Sequence, residues 1–415
     1  MGALVLLRNG RIAEPTGSVE APGLGSDEPA DILVANGKVA LIGREIDLHG
    51  VPFEVVDLAG RAVIPGLVDA HVHLTGGGGE AGFRTRVPRV PLAPLVASGV
   101  TSAVGVLGTD GVTRTMRDLV ACALALREEG LSAWCYTGSY AIPVVTLTGS
   151  VKDDIVFIDP IIGVGELAIS DHRSSQPTFD ELLRVASDAY VAGLTAGKSG
   201  VMHLHLGDGP RGLELVRQAL ATAELPSRLW QPTHLNRNRS LWAEAKDLAR
   251  GVPFKAGPAR VPYFDVTAFP DDGDPDTLGA AEAVLDWLAA GLPAERLSVS
   301  SDGGGCLPTF DADGCMTAMD VGTPATLLDT VRALVDKGVP LARAIGFVTA
   351  HPARVLGLDR PERGHKGHIV VGGDADLVVL DEALTPWSVM ARGRWFIKEG
   401  EVVVRGTFES EWSRK

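Results

Sequence analysis

Basic residues are outnumbered in this chain: 38 Lys and Arg stand against 52 Asp and Glu, a formal charge of −14. That balance opposes docking on a polyanion, so nucleic acid is not an expected partner. Cysteine is scarcer still. Cys122, Cys135, Cys306 and Cys315 are the only four, and no CxxC spacing joins them. A zinc ribbon is therefore disfavoured, and reduced thiols of a cytoplasmic protein are expected. Long apolar runs are missing too. The opening MGALVLLRNG has a five-residue apolar run before Arg8, too short for a signal peptide. Leu6 stands where a myristoylation signal following Gly2 wants Ser or Thr. No stretch is long enough to span a bilayer, so no membrane partner is expected and the cytoplasm is the expected compartment.

What is present is ordinary for a large soluble enzyme. With 415 residues, 45% hydrophobic and 22% charged, the chain has room for a large barrel and a smaller appended unit without disulfide staples. Residues 1–64 read as short strands: LVLLRNGRIAEP, ADILVANGKVALIG and FEVVDLAGRAVI alternate apolar and polar positions around NG turns. Residues 359–415 read the same way in HIVVGGDADLVVLD, VMARGRWFIKEG and EVVVRGTF. Neither end buries enough surface alone, so the two are expected to pair as a small β-sandwich. Between them, over 65–358, short apolar runs alternate with amphipathic helical stretches such as MRDLVACALALREEG and FDELLRVASDAYVAG. This is the signature of an α/β (β/α)₈ TIM barrel. The loop-rich stretch 251–276 is hard to parse; its seventh strand is placed near Tyr263–Ala268.

AVIPGLVDAHVHL sets His71 and His73 at the end of an apolar strand, where residues two apart share a face and can point at one ion. A lone HxH pair is equally compatible with a polar strand face. Three further residues stop apolar runs: His205 in VMHLHLG, His234 in LWQPTHLN and Asp302 in LSVSSDG. In a barrel the carboxyl ends of the strands converge on one face, so these side chains are expected to gather as a metal site. Two adjacent cations need a bridging anion, and Glu166 of IIGVGELAIS, on the fourth barrel strand, can supply one. The bland alternative for Glu166 is a barrel-lining residue paired with arginine. His203 shares the face of His205 one layer deeper and reads as a core histidine. His172 reads as a neighbour of the ligands. His49, His351, His365 and His368 read as structural or surface residues.

The motifs PGLVDAHVHLTGGGGEAG, GVTSAVGVLGTD, TGSY, AISDHRS, HLGD, PTHLNRN, SSDGGG and VVRGTFE together resemble the amidohydrolase superfamily. Within it they resemble the isoaspartyl (β-aspartyl) dipeptidases, over essentially the whole chain. The resemblance implies that His71, His73 and Asp302 hold one divalent ion and His205 and His234 the other. It further implies that Glu80 binds the substrate's α-amino group, that Arg173 and Arg237 bind its carboxylate, that Tyr140 polarises the scissile carbonyl, and that Thr109 positions substrate. A small acidic peptide and a homo-oligomer follow as expected partners. A guanidinium fork matches a carboxylate in two parallel hydrogen bonds, which agrees with the arginine assignments.

Two positions depart from the family pattern. The usual bridge is a carboxylated lysine, whereas here Glu166 follows an additional Gly165. Lys198 precedes the fifth strand and belongs at the opposite end of the barrel, so it cannot substitute. The serine expected after the metal aspartate is Cys306, which weakens one polar substrate contact. The expected reaction is hydrolysis of a β-aspartyl isopeptide bond by water activated between two cations, with Asp302 moving the proton. His and carboxylate ligation suits zinc, with manganese or cobalt as alternatives. Rival readings are a hydrolase of cyclic amides or N-acyl amino acids on the same metals, and a non-catalytic scaffold relative.

Overall fold

The computed structural model describes residues 4–16, 28–255, 257–270, 274–310 and 316–409; Cys315 lies outside them. Short parallel strands carry the site. β1 (Leu67–Val72), β2 (Val100–Gly105), β3 (Ser132–Thr137), β4 (Ile161–Ser170), β5 (Val201–Leu206) and β6 (Trp230–Thr233) pair in succession. β7 (Phe264–Thr267) pairs with β8 (Leu297–Ser300). Tyr263 N donates to Trp230 O and Leu235 N to Asp265 O, joining β6 to β7. His73 N donates to Gly303 O at 2.8 Å, joining the chain just past β8 to the end of β1. The sheet thus curls into a barrel. β7 falls within the expected Tyr263–Ala268 stretch.

Every residue of these strands is buried, as parallel strands covered on both faces require. The helices supply the outer cover. Phe179–Ala196 starts at a capping box in which Thr178 and Glu181 bond each other's backbone N–H, and it ends at Gly197 in the left-handed region. Its buried stripe of Leu182, Ala186, Ala189 and Gly193 recurs every three or four positions, the period of one helical face. Met116–Glu129 is built alike, with Thr115 capping Asp118 N and Gly130 closing the carboxyl end.

Among the described residues, the two ends of the chain form a separate nine-stranded mixed sheet. Leu377–Leu380 runs antiparallel to Ala62–Pro65, pairing Leu377 with Pro65 and Leu380 with Ala62. Val5–Ile12 pairs with Ala30–Ala35 and Glu54–Asp57 through its first half and with Ala62–Pro65 through Arg11 and Ile12. A register shift between Leu7 and Gly10 falls at this change of partners. Val5, Leu7, Ile32, Val63, Leu377, Val379 and Met390 form the common core of both chain ends. The sequence did not announce one element: an antiparallel hairpin, Cys306–Phe310 with Met316–Val321, follows β8.

Candidate metal centre

His71 lies next to last in β1 and His73 just past its end; Glu166 lies in β4, His205 in β5, and His234 and Asp302 just past β6 and β8. All six are buried. His234 and Asp302 adopt φ of 61° and 53°, left-handed conformations that cost non-glycine residues energy and cluster at functional sites. At each, the chain turns sharply as it leaves its strand.

The Glu166 carboxylate divides the cluster. Its Oε1 lies 3.4 Å from His71 Nε2 and 3.7 Å from His73 Nε2. Its Oε2 lies 3.1 Å from His205 Nδ1 and 3.3 Å from His234 Nε2. On the first side Asp302 Oδ1 approaches His73 Nε2 at 2.9 Å and His71 Nε2 at 3.4 Å. Donor atoms close enough to share an ion occur as His71, His73 and Asp302, and as His71, Glu166 and His234. His205 belongs to neither trio and reaches the cluster through Glu166. Gly165 makes the bridging position possible, because a Cβ there would fall 2.7 Å from His203 Cβ and 2.9 Å from His203 O. The backbone of β4 therefore comes as close to β5 as glycine allows, which brings the short glutamate into reach.

The donor set fits divalent cations. Glu166 Oε1 and Asp302 Oδ1 are buried without a hydrogen-bond partner, facing the Nε2 atoms of His71 and His73. Lone pairs turned on one another in a dry pocket repel unless positive charge lies between them, and mixed imidazole and carboxylate donors suit zinc-like ions. Burial alone would lift the carboxyls of Glu166 and Asp302. Instead the charge on His71 and hydrogen bonds from His205 and His234 hold Glu166 well below the carboxylate range. The adjacent His71 and His73 rings do the same for Asp302. Burial pushes His234 down to about 3, leaving a neutral imidazole.

The remaining expected residues surround this centre unevenly. Burial pushes the Tyr140 hydroxyl well above its usual range, so it is a neutral donor; it lies 2.8 Å from His205 Nδ1. Arg173 spends Nε and one terminal nitrogen on Asp171, at 3.0 and 2.8 Å, and its other terminal nitrogen approaches Glu80 at 3.5 Å. Arg237 forms no ion pair among the described residues, and its buried Nε has no partner. Thr109 is half-buried beside Gly108, whose backbone faces the His73 ring. Cys306 turns its thiol onto Met319 Sδ at 2.6 Å, and burial pushes it up to about 11, so it is an uncharged wall. Lys198 donates to Ile155 O and Ile158 O, away from the ions.

Two residues matter more than the sequence revealed. The side chain expected beside the ligands was His172, but it is 85% exposed. Asp171 does that work instead, with Oδ2 2.9 Å from His205 Nε2. Here a hydrogen bond, not sequence position, decides which neighbour counts. His203, read as a core histidine, sits 2.8 Å from His71 Nδ1. Its HxH spacing with His205 was the available signal.

Amidohydrolase family models match residues 54–115 and 280–407. A solved β-aspartyl dipeptidase from Fervidobacterium islandicum, in complex with β-Asp-Leu dipeptide, shares 38% identity over 97% of this chain and 98% of that one, with a TM-score of 0.86. The D-hydantoinase of a Thermus species shares the fold at 18% identity and TM-score 0.65, covering 97% of each chain. By sequence, the dihydroorotase of Pelotomaculum thermopropionicum is 26% identical over 427 residues, 91% of each chain. With paired metal-binding clusters and near-complete coverage of the Fervidobacterium enzyme, the chain belongs to the amidohydrolase superfamily of metal-dependent hydrolases and is closely related to a β-aspartyl dipeptidase.

Proposed function

We propose that this enzyme hydrolyses the β-aspartyl isopeptide bond of small acidic dipeptides, with two divalent cations, zinc by preference, held at the barrel mouth. The observation that carries the reading is the division of Glu166, one oxygen toward His71 and His73 and the other toward His205 and His234. His71, His73 and Asp302 would hold one ion and His205 and His234 the second, with Glu166 between them. Bound there, the ions supply Lewis acidity and make water a usable nucleophile at neutral pH.

The chain's own groups do the rest. Asp302 takes the proton of the attacking water and returns it to the leaving amine, so that one water is consumed and the C–N bond breaks. The neutral Tyr140 hydroxyl donates to the carbonyl oxygen as negative charge develops there, a contribution of about 3–4 kcal/mol for one such donor. Arg237, which has no ion-pair partner among the described residues, takes the substrate's α-carboxylate together with the Arg173 terminal nitrogen that faces Glu80. Glu80 receives the α-ammonium, and Thr109 and Cys306 line the same pocket.

The Fervidobacterium relative, solved with β-Asp-Leu, supports this substrate class. The dihydroorotase relative favours a second reading, cyclic-amide hydrolysis. Glu80 beside Arg173 argues against it, because a zwitterionic head group needs a carboxylate as well as arginines. The chemistry belongs to 65–358, with 1–64 and 359–415 as a supporting sandwich, in a cytoplasmic homo-oligomer. The exposed Phe83, Val112 and Phe157 side chains are in keeping with assembly. No helix among the described residues is long and apolar enough to cross a membrane. The test is a hydrolysis panel of β-Asp-Leu, α-Asp-Leu, dihydroorotate and an N-acetyl amino acid. Turnover confined to β-Asp-Leu is expected; preference for any of the others overturns the assignment.

A further inference from the structure

The inside of this barrel is polar below the metal centre, where branched aliphatic side chains usually fill the space. Asp69, His203, Gln231, Asp265, Ser298 and Ser300 are all buried there. Part of this layer forms one continuous hydrogen-bonded chain that ends on His71. We infer that His203 is a positioning residue that fixes the tautomer of His71 and so presents a bare Nε2 lone pair to the cation site. The inference rests on the metal reading above.

The proton positions follow from the far end of the chain. Asp265 accepts from Ser300 Oγ at 2.6 Å and Thr233 Oγ1 at 2.7 Å on one oxygen, and from Ser298 Oγ at 2.5 Å on the other. A serine hydroxyl has one proton, and the carboxylate takes that of Ser298. Its oxygen must then accept from Gln231 Nε2, 3.3 Å away. This orients the Gln231 amide with Oε1 toward His203 Nδ1, at 3.1 Å. His203 Nδ1 therefore carries hydrogen. A neutral imidazole has one N–H and one acceptor nitrogen, so His203 Nε2 accepts. The group 2.8 Å from it is His71 Nδ1, which has to be the donor. With a cation in place of a second proton, His71 keeps its hydrogen on Nδ1 and turns a bare Nε2 toward Glu166, His73 and Asp302. His203 is held in place by Tyr136, stacked on it at 5.0 Å with its hydroxyl donated to Ala70 O.

An unconstrained imidazole is divided between two tautomers and free to rotate. Removing the partner of a ligating histidine typically lowers metal affinity about 10- to 100-fold. His203→Leu removes the acceptor. Gln231→Leu frees the tautomer of His203 without touching any ligand. His203→Gln keeps an acceptor toward His71 and a donor toward Gln231. The experiment is zinc titration of metal-stripped protein against a competing chelator, with the thermal midpoint of each stripped variant measured in parallel. Both leucine variants are expected to lose about 10- to 100-fold in zinc affinity and the glutamine variant less than about threefold, whatever the order of their midpoints. A second measurement needs no variant to fold well. Long-range ¹⁵N–¹H correlation of histidine-labelled, metal-free native protein reads the tautomer directly, among ten histidines. Hydrogen on His71 Nδ1 is expected. A His71 Nδ1 that carries no hydrogen, or native zinc affinity in both leucine variants, overturns the inference. Native protein that takes up no zinc at all overturns the metal reading instead, and the spectrum still decides this one.

Discussion

His205 Nε2 lies 2.9 Å from Asp171 Oδ2, the same oxygen that accepts from Arg173 at 2.8 Å. One carboxylate therefore steadies a proposed metal ligand and a proposed substrate arginine at once. The close packing leaves no slack: a Cβ on Gly207 would sit 2.0 Å from that oxygen. Burial opposes the Asp171 charge, but hydrogen bonds from His205 and Arg173 hold its carboxyl below the usual range. Asp171→Asn is expected to weaken zinc binding and raise KM together, each by about 10-fold or more, because both neighbours lose their anion. Chelator competition and steady-state kinetics on one preparation check this. A change in only one of the two would separate functions that the geometry joins.

Glu166→Ala is expected to reduce bound metal by at least one ion per chain, measured as metal content after dialysis. The four imidazoles around Glu166 would then have no shared anion, and two cations would face each other unscreened. Unchanged stoichiometry would place the bridge elsewhere.

Asp302→Asn tests proton movement. The amide keeps the size of the side chain but cannot accept the proton of the attacking water. A loss of about 10²- to 10⁴-fold in kcat is expected, with the far-ultraviolet circular dichroism spectrum unchanged. Substantial retained turnover would remove Asp302 from that role.

Much of the site was legible in the sequence because the signals were local. Two-residue spacing puts His71 and His73 on one strand face, and apolar runs ending at His205, His234 and Asp302 mark strand ends that a barrel must gather. The rest depended on depth and direction. The sequence placed His203 one layer below His205, but strand periodicity cannot say that its ring meets His71 Nδ1 from the neighbouring strand. Asp171 and His172 are adjacent at the end of β4, and only the turn there shows that the aspartate points inward. β7 was faint because FDVT is four residues long and carries a buried aspartate inside. Its partners, Ser298, Ser300 and Thr233, come from other strands.

The pH dependence of stability should contain a term from His351, far from the ions. Its Nδ1 donates to Leu297 O at 2.9 Å, at the opposite end of β8 from Asp302, and burial pushes its pKa down to about 4 from an ordinary 6.5. Between these values the unfolded chain binds the extra proton and the folded chain does not, so stability rises with pH across the window. The contribution is fully present above pH 6.5 and lost as pH falls toward 4. At about 1.4 kcal/mol per unit it reaches at most about 3 kcal/mol. His351→Asn keeps a donor near Leu297 O without titrating in this range. Urea unfolding at several pH values should give a shallower pH slope for the variant between 4 and 6.5, with kcat unaffected. An unchanged slope would mean His351 is protonated in the folded state.

Arg173 and Arg237 should differ in how they fail. Two nitrogens of Arg173 are already bonded to Asp171, so its loss disturbs His205 and reaches the metal centre. Arg237 has a buried, unpartnered Nε and a face on Phe269 at 5.8 Å, so its charge is free for the substrate. A carboxylate bound equally in ground and transition states contributes to KM and not to kcat. Arg237→Met keeps the apolar stem and removes only the fork. For β-Asp-Leu it should raise KM about 10- to 100-fold, in line with about 1.5–3 kcal/mol for a hydrogen bond to a charged group, and change kcat little. β-Ala-Leu is the same dipeptide without the α-carboxylate, and native and Arg237→Met enzymes should hydrolyse it at equal kcat/KM. Arg173→Met should lower kcat and raise KM for both substrates, because its effect passes through Asp171. If Arg237→Met lowers kcat at constant KM, or penalises β-Ala-Leu as heavily as β-Asp-Leu, its guanidinium is not the carboxylate's partner.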